Sequence, residues 1–445
     1  MMLRHLLQPL AYALLLLVLG ASWPFGTNIA AAEQTQKLTV QKAVELAKTG
    51  NPSLLAAESR VRQEQGRLVQ AQSSRLPRVT LSLGFQGLNE ALTYHAYDKG
   101  GTPIGIVPAG YEKTYQAALT LKQVLYSGGT ITSRIQAEEF LVLARQAERD
   151  RVAQRVENGA QAGYYGLQRA IAREAVALEA LNLAEEHLEQ VKIFHRTGVV
   201  AKNEVLRVQV AVSTAQLNVI EARSHVQVAW KQLERVTGHS LEGNYIVAAG
   251  DSELTDLVVD EDPLSRALAM RPELKALAAS EKAARKMVQA AKGQYLPQVG
   301  LTVEGRLYDD TFFPSQNEEL LVGIRVELPL MDSGQIHGQI VEHSALAEEL
   351  LYGIEDMKRE IALDVSKTKV SLDSALQKVL VAGDGVVQAE EDYRMALKRY
   401  QANVGTNIDV LDARLALIDT RNAKIDAIAE ARTAYADLIY AMGDR

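Results

Sequence analysis

The sequence predicts a mixed α and β fold, mostly α, in which long coiled-coil helices carry a small sheet. Three observations predict it. Two segments of the chain repeat each other in order. Short stretches in each segment alternate apolar and polar residues with period two. Two runs of more than sixty residues contain no proline and read as very long helices.

The duplication is read from short motifs. Asn51-Pro52-Ser53-Leu54 resembles Arg271-Pro272-Glu273-Leu274, and Leu76-Pro77-Arg78-Val79 resembles Leu296-Pro297-Gln298-Val299, both offset by 220. Tyr126-Ser127-Gly128-Gly129 resembles Met331-Asp332-Ser333-Gly334, offset by 206 or 205, and Glu204-Val205-Leu206 resembles Asp409-Val410-Leu411, offset by 205. The drop means about 14 extra residues between Pro77 and Ser127, in an exposed loop where insertions are tolerated.

The elements follow in order. Residues 1–32 read as a signal peptide: Arg4 lies in a short n-region, Leu10 to Gly20 is apolar, and Ala30-Ala31-Ala32 precedes Glu33. The chain has no cysteine, so export brings neither a disulfide framework nor an acylated cysteine. Repeat one is expected over 33–238. A helix over roughly 40–75 breaks near Pro52 and ends at Pro77. Strands follow at 78–97 and 114–126, then a long helix at 131–196 and a last helix at 202–237, closed by Gly238. Residues 239–261 are a linker. Repeat two, 262–445, has a helix broken near Pro272, strands at 298–308 and 319–330, a long helix at 335–402 and a helix at 407–442, closed by Gly443. Each long helix runs roughly 100 Å. Coiled-coil spacing is read in Leu181, Ala184, Leu188 and Val191, and in Leu411, Leu415 and Ile418.

The strands are two-faced. Val79, Leu81, Leu83 and Phe85 share one side, and Thr80, Ser82 and Gln86 the other. Leu320, Val322, Ile324 and Val326 oppose Arg325 and Glu327. Two environments fit: a sheet between a protein core and water, or an outer-membrane barrel with lipid outside and a polar lumen. For a barrel, Lys122, Glu304, Arg306, Arg325 and Glu327 form the lumen face. One chain offers four strands, and lipid cannot hydrogen-bond an open edge. Eight strands from two chains leave an interior filled by side chains. Twelve strands from three chains enclose roughly 24 Å, and a closed threefold ring is an ordinary symmetry.

Composition removes other classes. Mean hydropathy is −0.08, and no run of eighteen apolar residues follows the N-terminal segment, against membrane-spanning helices. A net charge of −7 with interspersed signs argues against nucleic acid. The eight histidines are scattered and no H-E-x-x-H occurs. No enzyme, metal site or cofactor is predicted.

Taken together, the two L-P-x-V strand entries, the duplicated N-P-S-L and R-P-E-L, Ser127-Gly128-Gly129, Asp332-Ser333-Gly334 and Val404-Gly405 to Asp412-Ala413 resemble the TolC-like outer-membrane efflux proteins over 38–443. The resemblance implies a homotrimer whose four strands per chain complete a twelve-stranded barrel above a periplasmic α-barrel. It implies an exit duct for a tripartite efflux or type I secretion system, with a periplasmic adaptor and an inner-membrane transporter as partners. It places the tapered entrance at 197–204 and 403–409, and matches its carboxylates to Asp409 and Asp412. Three copies would ring the entrance with negative charge and favour cations, while Asp409 equally suits the first turn of its helix. Asn203, Glu204 and Tyr400 match entrance-closing contacts; Tyr400 also suits simple packing at a helix end. A gating arginine position reads as Gly405, with Lys202 as a substitute candidate. The competing reading is a periplasmic coiled-coil scaffold that spans no membrane.

Overall fold

The computed structural model describes residues 36–90, 93–108, 110–247, 262–314 and 317–444. The expected signal peptide and residues 248–261 of the expected linker lie outside the described residues.

The first repeat runs β1 (Gln36–Leu38), α1 (Val40–Gly50), α2 (Pro52–Ser73), β2 (Arg78–Gly87), β3 (Thr93–Tyr97), β4 (Pro103–Pro108), β5 (Lys113–Tyr126), α3 (Thr130–Arg196), α4 (Lys202–Thr237) and β6 (Tyr245–Val247). The second runs α5 (Pro263–Met270), α6 (Pro272–Gly293), β7 (Gln298–Asp309), β8 (Asn317–Glu327), α7 (Gln335–Gln401) and α8 (Asn407–Met442).

Proline sets the helix breaks. Pro52 and Pro272 occupy first-turn positions, where the missing N–H costs nothing, so each opens a new helix after a one-residue break. The short helices then join end to end with the later ones. Asn51, ahead of α2, donates from Nδ2 to Val236 O of α4 at 2.7 Å. Arg271, ahead of α6, donates from Nε to Ala441 O of α8 at 2.9 Å. Both α2 and α4 pack on α3, while α6 and α8 both lie against α3 and α7. One chain is thus a wall of helices in the order α2/α4, α3, α6/α8, α7, with α3 and α7 each 67 residues long.

The core is a string of small clusters along this wall. One gathers Leu38, Ala43, Tyr164, Leu167, Leu233 and Leu241 around the start of α1. Near the far end, Val191, Val208, Tyr400 and Val410 form another. In the seam read from Leu181, Ala184, Leu188 and Val191, Ala184 and Val191 are fully buried, with Leu181 and Leu188 packed beside them. The seam read from Leu411, Leu415 and Ile418 is corrected. Leu415 is exposed, and Val410, Ala413 and Leu417 are buried instead. Small Ala413 suits the close approach of a helix wedged between α3 and α7 better than leucine does.

β2, β5, β7 and β8 form one antiparallel sheet in that order. The strand expected over 78–97 is two strands. β2 pairs with β5 only as far as Gly87↔Lys113, and β3 pairs with β4 in a separate hairpin. The hairpin turns at Asp98, whose Oδ1 accepts from Gly100 N and Thr102 N at 2.8 Å each, with Gly101 at φ 84°. The inserted residues therefore satisfy their own backbone groups instead of lengthening the main ladder. The expected linker is partly strand as well: β6 pairs in parallel with β1, which brings both ends of repeat one back onto the buried Leu38 and Leu241.

Candidate functional site

Two places are candidates for function: the sheet and the opposite, turned ends of the helices. Ladder register puts Lys122, Glu304, Arg306, Arg325 and Glu327 on one face of the sheet. Lys122 pairs with Thr302, two residues from Glu304; Arg325 pairs with Gly300 and Glu327 with Gln298. Thr120 donates to Glu304 Oε2 at 3.4 Å, and Arg306 forms an ion pair with Glu319. The opposite face is apolar and bare. Leu81, Leu83, Phe85, Leu320, Val322, Ile324 and Val326 are exposed, Leu83 by 76% and Ile324 by 68%. β2 and β8 each pair on one side only, so both edges of the sheet are open in the single chain.

At the other end, the α3–α4 turn uses Gly198 (φ 77°) and the α7–α8 turn uses Asn403 (φ 59°) as left-handed C-terminal residues. Gly405 stands where an arginine was sought. A Cβ there would lie 3.0 Å from Arg399 Cβ and 3.1 Å from Tyr400 N, so a side chain would fit only if these neighbours shifted by a few tenths of an ångström. Asp409 is engaged locally. Its Oδ2 accepts from Thr406 N at 3.0 Å, while Asp409 N donates to Thr406 Oγ1 at 3.2 Å, a reciprocal cap of α8. The Thr406 backbone N–H, reinforced by its side chain, holds the Asp409 carboxyl below its ordinary pKa. Asp412 lies one turn on and is exposed.

Tyr400 is buried, with its ring 5.3 Å from His187 and 5.7 Å from Phe194. Burial, with a smaller push from the nearby Glu204 carboxylate, raises its phenol to about 12. Of the expected closing contacts, the structure brings Glu204 toward Tyr400 and leaves Lys202 and Asn203 exposed. Sequence reading missed His187, Asn407 and Arg414, all buried behind the turns. The signal was present: His187 interrupts the apolar seam between Ala184 and Val191.

This architecture has known counterparts. The model of the outer membrane efflux protein family matches residues 43–239 and 264–444. The chain belongs to that family. It resembles the outer membrane efflux protein BepC of Brucella suis, with 22% identity over 409 residues, 91% of this chain and 85% of that protein. It also resembles the alkaline protease secretion protein AprF of Pseudomonas aeruginosa, with 27% identity over 254 residues, 54% of this chain. That alignment spans about half of AprF, 52% of its length. A solved structure of CusC superposes with a TM-score of 0.78 at 16% identity, covering 96% of this chain and 97% of the other. As a member of the outer membrane efflux family, the protein sits in the outer membrane through its strands, with the helical part in the periplasm.

Proposed function

We propose that the protein is the exit duct of a tripartite efflux or type I secretion system, three copies of which close one twelve-stranded barrel. The observation that carries this is the two-faced, four-stranded sheet with both edges open. An apolar face toward lipid demands closure, since unpaired strand edges are not tolerated in hydrocarbon. Twelve strands enclose roughly 24 Å, wide enough for solutes. On this reading Lys122, Glu304, Arg306, Arg325 and Glu327 line the lumen. The periplasmic ends of the helices meet an adaptor, and an inner-membrane transporter selects the cargo and supplies the energy. Relatives named for efflux and for protease secretion support both transporter types.

Internal duplication indicates how copies join. Within the chain, β5 of repeat one pairs with β7 of repeat two, Lys122 opposite Thr302. The equivalent contact between chains pairs β8 with β2 of the next copy. Arg78↔Lys122 and Gln298↔Glu327 are equivalent pairs, which maps Lys122 onto Glu327 and Thr302 onto Ser82. Glu327 should therefore face Ser82 of the partner subunit. Because the chain lacks cysteine, Ser82→Cys with Glu327→Cys is a clean test. Oxidation of membranes should give covalently linked oligomers on non-reducing gels, and the purified trimer should form ion-conducting pores in planar bilayers. Recovery wholly in the soluble periplasmic fraction, without cross-links, would leave the periplasmic scaffold reading instead.

A further inference from the structure

The cluster behind the helical turns carries chemistry that packing alone does not need. His187 on α3, Tyr400 on α7, and Asn407 and Arg414 on α8 are each at least nine-tenths buried. His187 Nε2 lies 2.7 Å from Asn407 Oδ1, and an amide oxygen only accepts, so the imidazole donates there. Its other nitrogen, Nδ1, is buried without a hydrogen-bond partner among the described residues. The same holds for Tyr400 OH, Asn407 Nδ2 and Arg414 Nε and Nη1. Arg414 is two turns along α8 from Asn407, and helical side chains lean toward the N-terminus of their helix, which aims its guanidinium at the His187 level.

We propose that His187, Asn407 and Arg414 form a pH-sensitive latch that holds α3 against α8 behind the helical turns and releases when His187 takes a proton. The neutral ring makes its one bond and leaves only a bare nitrogen buried. A protonated ring buries an N–H with no acceptor, which disfavours the charged form, and places a second cation beside Arg414. The charged and titratable groups facing the cluster are Arg414 on α8, Tyr393 and Tyr400 on α7, Glu186 on α3 and Glu204 on α4. Glu186 faces Tyr393 and Glu204 faces Tyr400, so neither carboxylate is set against the imidazole. Asp409, nearer the turn, is engaged by Thr406.

Electrostatics point the same way. Burial lowers the His187 pKa; the Asn407 hydrogen bond partly offsets this, and the Arg414 charge lowers it further. A folded-state pKa below the ordinary value means the opened state binds the proton more readily. The latch is then at full strength above about pH 6.5 and weakens as pH falls toward the depressed value.

The latch rests on the duct reading only in what its release opens, so the first measurement does not need a pore. Amide hydrogen exchange of residues 407–414 is followed in the detergent-extracted protein at pH 7.5 and 5.0, corrected for intrinsic rates. In the parent protein, acidification should raise local opening, by one decade per pH unit crossed between the two pKa values. His187→Gln, neutral throughout, should abolish that response. Arg414→Gln should diminish it, and Arg414→Lys should restore it. An acid response unchanged in both His187→Gln and Arg414→Gln, or no response in the parent, overturns the latch. Bilayer conductance is the second readout. Its rise should track the exchange midpoint, and absence of any pore despite an intact exchange response would strike the duct reading alone.

Discussion

The two helix joints solve one geometric problem with different chemistry. In repeat one, Gly50 and Gly238 bring their backbones into contact. A Cβ on Gly238 (φ 72°) would lie 2.1 Å from Gly50 O, and one on Gly50 would lie 2.4 Å from Thr237 O. Short Asn51 suffices there: its Oδ1 caps α2 at Ser53 N (2.8 Å), and its Nδ2 reaches Val236 O. In repeat two, Met270 occupies the place of Gly50, and Gly443 has looser contacts, with a Cβ 3.0 Å from Arg271 N. The wider joint is spanned by a longer arm. Arg271 reaches Ala441 O, pairs with Asp364 of α7 at 3.2 Å, and lies 3.6 Å from Glu273, which Arg151 of α3 also meets at 3.2 Å. The neutral joint lies at the open edge of the wall; the charged one lies in its middle and ties both repeats together. The duplication therefore preserves an end-to-end join of helices, and the gap between backbones decides which side chain makes it.

The largest effect that would sharpen this contrast is expected at Arg271. Arg271→Met keeps the length but strands buried Glu273 beside Arg151 alone and leaves Ala441 O unbonded. Removing one partner of a buried charge network costs about 3–5 kcal/mol. The urea midpoint of the helical circular dichroism signal should fall accordingly, with early proteolysis near residue 443. An unchanged midpoint would mean the join is held by packing alone. Asn51→Ala should cost less, about 1–2 kcal/mol for a lost N-cap, because the glycine contact remains. If Asn51→Ala proved the worse of the two, gap width would not be what distinguishes the joints.

Much of this plan was legible in the amino-acid order. Pro52 and Pro272 announced the breaks because proline fixes its own backbone and restricts the residue before it. The two-faced strands were legible because their two faces meet different environments, which leaves a period of two in the sequence. The role of Arg271 was not, since its partners Asp364, Ala441 and Arg151 are far apart in sequence and converge only once the wall is folded. The β3–β4 hairpin was hidden because no proline separates Gly87 from Tyr97, and β6 by its shortness. The α8 seam misled because alanine carries the close contact there and reads weakly beside leucine. The sequence left two readings of Asp409 open, an entrance carboxylate and a helix cap, and the Thr406 geometry shows the cap to be present.

The tips repeat the contrast of the joints on a smaller scale. α4 begins at Ala201 with no side-chain cap, whereas α8 begins with the reciprocal Thr406–Asp409 pair. Asp409→Ala should loosen the start of α8, read as faster amide exchange in its first turn. The effect should fade as pH drops through the lowered Asp409 pKa, because a carboxyl favoured in its charged form contributes only above that range. Asp412→Ala should leave that turn intact, since Asp412 is exposed and takes no part in the Thr406–Asp409 cap. Three copies of Asp412 would nonetheless stand near the entrance, so Asp409→Ala with Asp412→Ala should lower cation preference in single-channel recordings, and most of that loss should appear in Asp412→Ala alone. Unchanged selectivity in the double variant would reduce both carboxylates to local helix chemistry. The difference between the tips would then lie in how firmly each helix starts, with no consequence for which ions pass between them.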